Sequence, residues 1–132
     1  MKSAHIQEGI LGEKAAVKHL EKIGYEIIEQ NYKIRYGEID IIAVDPLKSL
    51  PAGRQERTLV FVEVKTRSSS EFGTPLEAIT PWKIRSVIKT AQFYTLSHKN
   101  LPQLLRIDAI AVILGPLNEI ESLDHVKNIT GY

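Results

Sequence analysis

Two apolar stretches that carry charged side chains constrain the fold of this chain more than any other feature. Residues 37–43, Gly-Glu-Ile-Asp-Ile-Ile-Ala, and residues 59–66, Leu-Val-Phe-Val-Glu-Val-Lys-Thr, are each predicted to form a buried strand. Asp40, Glu63 and Lys65 lie inside these strands, although a buried charge is costly unless it is paired or binds a metal. If the strands are neighbours in register, Asp40 faces Glu63 across the sheet.

Alternation of side chains gives each predicted strand two faces. In the first strand, one face holds Glu38, Asp40, Ile42 and Val44, and the other holds Ile39, Ile41 and Ala43. In the second strand, one face holds Leu59, Phe61, Glu63 and Lys65, and the other holds Val60, Val62 and Val64. The acids and the lysine are therefore predicted to share a face with large apolar side chains.

Two carboxylates that face each other this closely repel, so either one keeps its proton or a cation lies between them. Carboxylate oxygens that leave positions for water and phosphate suit Mg²⁺ or Mn²⁺. Lys65 would balance negative charge, orient an attacking water or stabilise a phosphate in transfer, which suits phosphodiester hydrolysis. The alternative is a salt bridge of Asp40 or Glu63 with Lys65 on a solvated face, and the apolar neighbours weaken that interpretation.

The first predicted helix contributes a third acid. Its periodicity predicts a helix over about residues 6–24, whose apolar stripe consists of Ile6, Ile10, Val17 and Leu20, with Ala16 and Ile23 at its edges. Glu13 falls in the middle of that stripe, whereas the other charges of the helix lie off it. A surface glutamate at a tilted helix boundary is the alternative, but this position favours a functional Glu13.

The remaining elements predict a layered α/β domain. Further strands are predicted over residues 25–32, at a sheet edge, and over residues 105–114 and 120–129. Loops are predicted over residues 31–36, 45–57 and 67–73, and a second helix runs over residues 81–97, with Thr80 as its N-cap and Pro81 at its first position. The order α-β-β-β-α-β-β predicts a single domain, residues 1–132, in which helices pack on a mixed five-stranded sheet.

Charge and composition bear on partners and location. The formal net charge is only +1, but residues 78–107 contain no acid and several bases, which predicts one basic face. The chain has no cysteine, no apolar run long enough to span a membrane and no secretory signal, so we expect a cytoplasmic protein. The four histidines are scattered, and nothing indicates a serine, cysteine or histidine nucleophile or a small-molecule cofactor.

The outward face of the second helix mixes bases with large apolar side chains. It holds Trp82, Arg85, Lys89, Phe93 and Leu96. Our first interpretation is that another part of the chain covers this face. A nucleic acid or a second subunit is the alternative.

A set of motifs spread over nearly the whole chain resembles one family. These motifs are Gly12-Glu13, Gln30-Asn31-Tyr32, residues 37–43, residues 61–67, Gly73-x-Pro75-x-Glu77-Ala78 and Arg106-Ile107-Asp108. In this order they resemble the YraN family of uncharacterised proteins, which are described as predicted endonucleases similar to archaeal Holliday junction resolvases. Asp40 followed by Glu63-Val64-Lys65 also resembles the pattern of the PD-(D/E)XK nuclease superfamily. Two departures are the long loop over residues 45–57 and an isoleucine, Ile107, where the family has phenylalanine.

The resemblance implies a restriction-endonuclease-like fold and a role for each matched residue. Asp40, Glu63 and the carbonyl of Val64 would bind the metal, Lys65 would be the catalytic lysine, and Glu13 would be a metal ligand or orient water. The expected function is a Mg²⁺- or Mn²⁺-dependent endonuclease that acts on branched or otherwise structured DNA, and the resemblance suggests a homodimer. DNA contacts are expected from Lys33, Arg35, Arg67, Lys83, Arg85 and Lys89. The alternatives are a nucleic-acid-binding module without turnover and a protein-interaction domain.

Overall fold

The computed structural model describes residues 4–49, 55–69 and 73–130, and it confirms the predicted α/β architecture. Its elements are α1 (Ala4–Lys22), β1 (Glu26–Ile34), β2 (Gly37–Ser49), β3 (Gln55–Ser68), a short 3-10 helix (Pro75–Ala78), α2 (Pro81–Ser97), β4 (Leu104–Leu114) and β5 (Ile120–Val126). The order α-β-β-β-α-β-β and the flanked mixed sheet are those of a restriction-endonuclease-like fold. No helix in the described part of the chain is long and apolar enough to cross a membrane.

The sheet has the strand order β1-β2-β3-β4-β5, so β1 is an edge strand as predicted. Strands β1 to β3 pair antiparallel, and so do β4 and β5. Only β3 and β4 are parallel, over Thr58 to Ser68 and Leu104 to Leu114. A parallel pair needs a long crossover connection, and α2 supplies it here.

Each face of the sheet has its own apolar core. The core under α1 consists of Ala16, Leu20, Tyr25, Ile41, Ala43, Val60, Val62, Val64, Ile110, Val112 and Leu114. The core under α2 consists of Ile39, Ile42, Val44, Leu59, Phe61, Val87, Ala91, Tyr94 and Ile107. Burial of a large aliphatic or phenyl side chain contributes about 1.5–3 kcal/mol, so these cores hold both helices on the sheet.

The two central strands are longer than predicted. Most of the expected loop over residues 45–57 is a paired arm, because Asp45 pairs with Thr58, Lys48 with Glu56 and Ser49 with Gln55. Residues 50–54 lie outside the described part of the chain. The prediction of an antiparallel pair was right, and the prediction of an unpaired loop was wrong for the residues that are described. Residues 45–49 and 55–57 are mostly polar and lack the apolar alternation that identifies a strand.

The smaller boundaries also differ from the prediction. Strand β1 continues to Ile34, so only the end of the expected loop over residues 31–36 is a turn. Strand β3 continues to Ser68, and β5 ends at Val126 rather than near residue 129. Residues 70–72 of the expected loop over 67–73 lie outside the described part of the chain.

Strict alternation gives the wrong face for Ile39. Ile41 and Ala43 pack under α1, whereas Ile39 packs under α2 together with Ile42 and Val44. The alternation therefore resets at Asp40, which lies between residues of opposite faces. The partner strand is irregular at the same level, because Asn31, with φ of 53°, lies between the paired residues Gln30 and Tyr32. Asparagine adopts this left-handed conformation more readily than most residues.

The buried face of α1 also differs from the predicted stripe. Ile6, Ile10 and Ile23 are exposed, whereas Gly12, Ala16 and Leu20 are buried against the sheet. These three residues are spaced by four and share one helix face. Small residues at the first two positions let the helix approach β3 closely. A Cβ built on Gly12 would lie 2.9 Å from the Cβ of Thr66, which is closer than atoms of this kind pack.

Helix α2 begins as predicted, because Thr80 accepts a hydrogen bond from the backbone N–H of Lys83 at 3.1 Å and Pro81 is the first helical residue. Its buried face also agrees, with Val87, Ala91 and Tyr94 in the core. The first interpretation of the outward face was wrong, since Trp82, Phe93 and Leu96 are exposed and no described segment covers them.

Candidate active site

The acids of the two central strands lie where these strands separate. The pairing of β2 with β3 extends from Ser49 and Gln55 to Ile41 and Val62, and ends there. Beyond this point β2 continues beside β1, and β3 continues beside β4. We call the opening between Asp40 on β2 and residues 63–65 on β3 the strand fork. Backbone groups in such an opening lack the partners of a regular ladder, so side chains and ligands can bind them.

Asp40 is held in the strand fork by the backbone of β3. The N–H of Val64 donates to Asp40 Oδ2 at 2.7 Å. Because the N–H and C=O of one strand residue point to the same side, the carbonyl of Val64 faces the fork as well. Burial raises the pKa of Asp40, while the Val64 hydrogen bond and the charges of Lys83 and Lys65 act in the opposite direction.

Glu63 is the most buried acid of the strand fork, with only 4 % of its surface exposed. Burial, followed by the charge of Asp40, raises its pKa to about 7, and Lys83 and Lys65 partly oppose that rise. Lys83 Nζ lies 3.6 Å from Glu63 Oε1. Glu63 Oε2 is buried and has no hydrogen-bond partner among the described residues. A buried carboxylate oxygen without a partner is costly, so this atom is placed to receive a ligand.

Glu13 reaches the same opening from α1. Burial, followed by the charge of Asp40 and a hydrogen bond with it, raises the pKa of Glu13 to about 7. The side chain of Asn31 also bonds Glu13 and acts in the opposite direction. The ionisation of Glu13 therefore depends on the charge of Asp40.

Lys65 also borders the strand fork. It lines a cavity of about 450 Å³ together with Glu13, Val64, Thr66 and Arg67. Its positive charge lowers the pKa of both Asp40 and Glu63. The predicted residues Glu13, Asp40, Glu63, Val64 and Lys65 therefore converge at one place.

The predicted DNA-contact residues divide into two groups. Arg67 lines the cavity beside Lys65, and Lys83 points into the strand fork toward Glu63. The other four lie on the outer surface. There, Lys33 is 3.8 Å from Glu38, Arg35 lies 6.0 Å from the Tyr36 ring centroid, and Arg85 and Lys89 line a cavity on α2.

Two features of the site escaped the sequence interpretation. Asn31 contacts Glu13, although it was expected in a loop. The available signal for this contact was the position of Asn31 at the end of the first predicted strand, next to the strand that carries Asp40. Lys83 was predicted to bind DNA, and the structure pairs it with Glu63. That contact depends on how α2 docks, which no local pattern encodes.

A divalent metal fits this donor set on two grounds. The partnerless Glu63 Oε2 and the Val64 carbonyl are oxygen donors. Burial raises the pKa of both Asp40 and Glu63, and the charge of Asp40 adds to the rise at Glu63, so a cation here would stabilise the ionised acids. Among the described residues, no three His, Cys, Asp or Glu side chains form a group that could hold a metal ion. A smaller set of carboxylates suits Mg²⁺, which keeps several of its waters.

A second polar cluster lies under the C-terminal half of α1 and is separate from the strand fork. Asp108, fully buried, accepts hydrogen bonds from Arg106 Nε at 2.8 Å, from His125 Nε2 at 2.8 Å and from the N–H of Asn128 at 2.9 Å. Burial alone would raise the pKa of Asp108, but these bonds outweigh it and lower the pKa. Arg106 also contacts Asp45 at 3.1 Å. The Arg106-Ile107-Asp108 motif thus joins β4 to the β2–β3 arm and to the chain after β5.

The fold and the strand fork together define a restriction-endonuclease-like α/β protein whose acids lie at the separation of two central strands. The chain belongs to the uncharacterised protein family UPF0102, whose family profile matches residues 12–112. This confirms the predicted family.

Relatives from distant bacteria match nearly the whole chain. A UPF0102 protein of Mycobacterium sp. (strain KMS) is 42% identical over 93% of this chain and 82% of its own length. UPF0102 proteins of Caldicellulosiruptor saccharolyticus and Caldanaerobacter subterraneus are 38% and 40% identical, each over 91% of this chain and over 93% and 91% of their own lengths. The names of these relatives give the family and no activity.

Proposed function

We propose that this protein is a metal-dependent endonuclease that hydrolyses phosphodiester bonds in DNA. One observation carries the proposal: the strand fork brings three acids with raised pKa values together with Lys65, and leaves a buried Glu63 oxygen without a partner. Strongly perturbed acids in a cleft are typical of functional sites, since a purely structural cluster would pair them.

The acids would provide the metal site. Asp40, Glu63 and the Val64 carbonyl would hold Mg²⁺ or Mn²⁺, which when bound polarises a phosphate oxygen and makes water a stronger nucleophile. Lys83, at 3.6 Å from Glu63 Oε1, fixes one oxygen of that carboxylate and leaves Oε2 free for the ligand.

The remaining residues would act on the substrate. Lys65 would donate to a phosphate oxygen as negative charge develops there. Glu13, with a pKa of about 7, changes its protonation near neutral pH, so it is suited to accept a proton from an attacking water. Both side chains line the same cavity of about 450 Å³.

The deciding experiment is a cleavage assay on end-labelled four-way junctions, flaps, single strands and blunt duplexes, with Mg²⁺, Mn²⁺ or EDTA. We expect cleavage with either metal and none with EDTA. We also expect Asp40→Asn and Lys65→Ala to reduce the rate at least about 100-fold, the usual scale for general acid–base or electrostatic groups. Glu26→Gln is the matched control, because Glu26 forms an exposed ion pair with Arg57 away from the fork.

A binding measurement tests the metal site without relying on activity. Titration calorimetry with Mn²⁺ should show saturable binding to the wild type, and Asp40→Asn should weaken it. Uncleaved substrates throughout the panel, or equal rates for the wild type and both site variants, would refute the proposal. Branched DNA as the substrate and a homodimer as the active form remain parts of the proposal, and the junction substrates and a sedimentation run test them.

A DNA-binding module without turnover is the second candidate. The exposed bases Arg85 and Lys89 on α2 favour it. It predicts binding that weakens steeply with salt, depends on these two bases and does not change in Asp40→Asn. Loss of binding in Asp40→Asn but not in Arg85→Ala would exclude it.

A further inference from the structure

Two exposed aromatic side chains, one in the turn between β1 and β2 and one at the start of α2, line the same cavity. Tyr36 is 66% exposed and Trp82 is 69% exposed. Both line one cavity of about 480 Å³, which is in the size range of small-ligand sites. Large aromatic side chains left this open to solvent usually serve as a contact surface.

The backbone around the two rings is held in place. Tyr36 lies in the turn between β1 and β2, and its carbonyl accepts a hydrogen bond from Ser86 Oγ at 3.5 Å. Gly37 follows, and a Cβ built there would lie 2.9 Å from Ser86 Oγ. A larger residue at this position would have to displace the Ser86 hydroxyl, so the turn lies close to α2. The turn and the helix are packed together, so the aromatic pair belongs to the folded structure and not to a loose loop.

The charge around the aromatic pair is positive. Arg85 and Lys89 line the same cavity, no acid among the described residues lines it, and Arg35 lies 6.0 Å from the centroid of the Tyr36 ring. A second cavity lined by both rings holds one acid, Glu38, against the bases Lys33, Arg35 and Lys83. Aromatic rings with bases around them are the combination that binds single-stranded nucleic acid, because the rings stack on bases and the cations contact phosphates. A protein partner would have to bring its own acids to match this surface.

The same surface leads to the strand fork. A neighbouring cavity of about 380 Å³ is lined by Tyr36, Trp82 and Lys83. Lys83 is the residue whose Nζ lies 3.6 Å from Glu63. A strand lying on the aromatic pair would therefore reach Lys83, the residue that contacts Glu63 in the fork.

We propose that Tyr36 and Trp82 form a stacking platform for unpaired bases, with Arg85 and Lys89 contacting the adjoining phosphates. This inference rests on the proposed nuclease function and makes it more specific. The substrate is nucleic acid with an unpaired segment beside the bond to be cut, as in a flap, a splayed end or an open junction. Fully paired duplex cannot offer a free base face to the platform.

Trp82 is the only tryptophan of the chain, so its fluorescence reports on the platform directly. The experiment titrates the wild-type protein with oligothymidine and with a blunt duplex of equal phosphate number, in EDTA so that nothing is cut. We expect saturable quenching by the single strand and much weaker quenching by the duplex. Stacking energies per base predict that Trp82→Ala and Tyr36→Ala each weaken single-strand binding roughly 5- to 150-fold, measured by anisotropy of a labelled strand.

Leu96→Ala is the matched control, because Leu96 is 87% exposed on the same helix but does not line the cavity. The affinity of this variant for the single strand should equal that of the wild type. Trp82→Phe should keep most of the affinity, since a phenyl ring still stacks. Three results would overturn the proposal: single-strand binding without quenching, equal quenching by the duplex, or a Trp82 signal that changes with protein concentration alone. The third result would indicate that a second copy of the chain covers Trp82. Quenching without cleavage in the assay above would refute the nuclease proposal and support the stacking platform. Cleavage without quenching would support the nuclease proposal and refute the stacking platform.

Discussion

Replacement of Gly12 by alanine tests whether close approach of α1 to β3 builds the site. A Cβ at Gly12 would lie 2.9 Å from the Cβ and 3.1 Å from the Cγ2 of Thr66. The helix must then move away from β3, because these neighbours belong to a packed strand. Gly9 lies on the same helix, and a Cβ there would meet nothing within 4 Å. The same substitution at Gly9 is therefore the matched control.

The two variants should differ in stability. Alanine in place of a helical glycine gains about 1 kcal/mol, so Gly9→Ala should be stabilised by about that amount. Gly12→Ala gains the same term but loses about 1–3 kcal/mol through overpacking. The propensity gain cancels in the comparison, so the two free energies of unfolding should differ by about 1–3 kcal/mol. Urea denaturation measures this difference directly.

The same displacement should affect the candidate site. Glu13 follows Gly12 in the chain, so moving the helix moves its carboxyl away from Asp40. A misplacement of about 1 Å can cost on the order of 100-fold in rate, and DNA cleavage by Gly12→Ala should fall accordingly. Glu26→Gln, at an exposed ion pair away from the fork, should keep its activity. Equal stabilisation of both variants would show that α1 does not depend on this close approach.

Three further changes test individual parts of the structure. The pKa of Glu63 in the folded protein, about 7, lies above its ordinary 4.5. Without metal, the wild type should therefore lose up to ~3 kcal/mol of stability relative to Glu63→Gln as the pH rises from about 5 to 8. Urea titrations over this pH range measure the loss. Asp108→Asn should cost about 3–5 kcal/mol, because it removes the fully buried charge that pairs with Arg106 Nε, whereas Glu26→Gln at an exposed pair should cost under about 1 kcal/mol by the same assay. Thr80→Ala should lower the free energy of unfolding by about 1 kcal/mol through loss of the α2 cap; no change in any of the three would count against the corresponding contact.

Local chemistry determined which parts of the fold could be predicted. The start of α2 followed from Thr80 and Pro81 alone, because a cap is made within one turn. The faces of β3 were right because this central strand alternates regularly: Phe61 packs under α2 and Val62 under α1. The predicted face for Ile39 was wrong, since the true face depends on a backbone irregularity at Asn31 on the partner strand.

The candidate site, like the fold, could be predicted only in part from the sequence. Asp40, Glu63 and Lys65 were identified because charges inside apolar strands are visible in the sequence. The contact of Lys83 with Glu63 and the joint exposure of Trp82 and Tyr36 were not, since both depend on how α2 docks against distant strands. Periodicity gives the face of a helix and contains no information on what lies opposite it.

The strand fork also has a consequence for the order in which the molecule assembles. The β2–β3 arm joins neighbouring segments, whereas the parallel pairing of β3 with β4 requires the chain to pass through α2 first. Burial is the first cause of the raised pKa of Glu13, Asp40 and Glu63, so the cost of removing these acids from water develops only when the helices dock. The electrostatic cost of the site is thus imposed late in folding. We therefore expect its pH dependence in the unfolding rate rather than in the folding rate, which stopped-flow kinetics at pH 5 and 8 would separate.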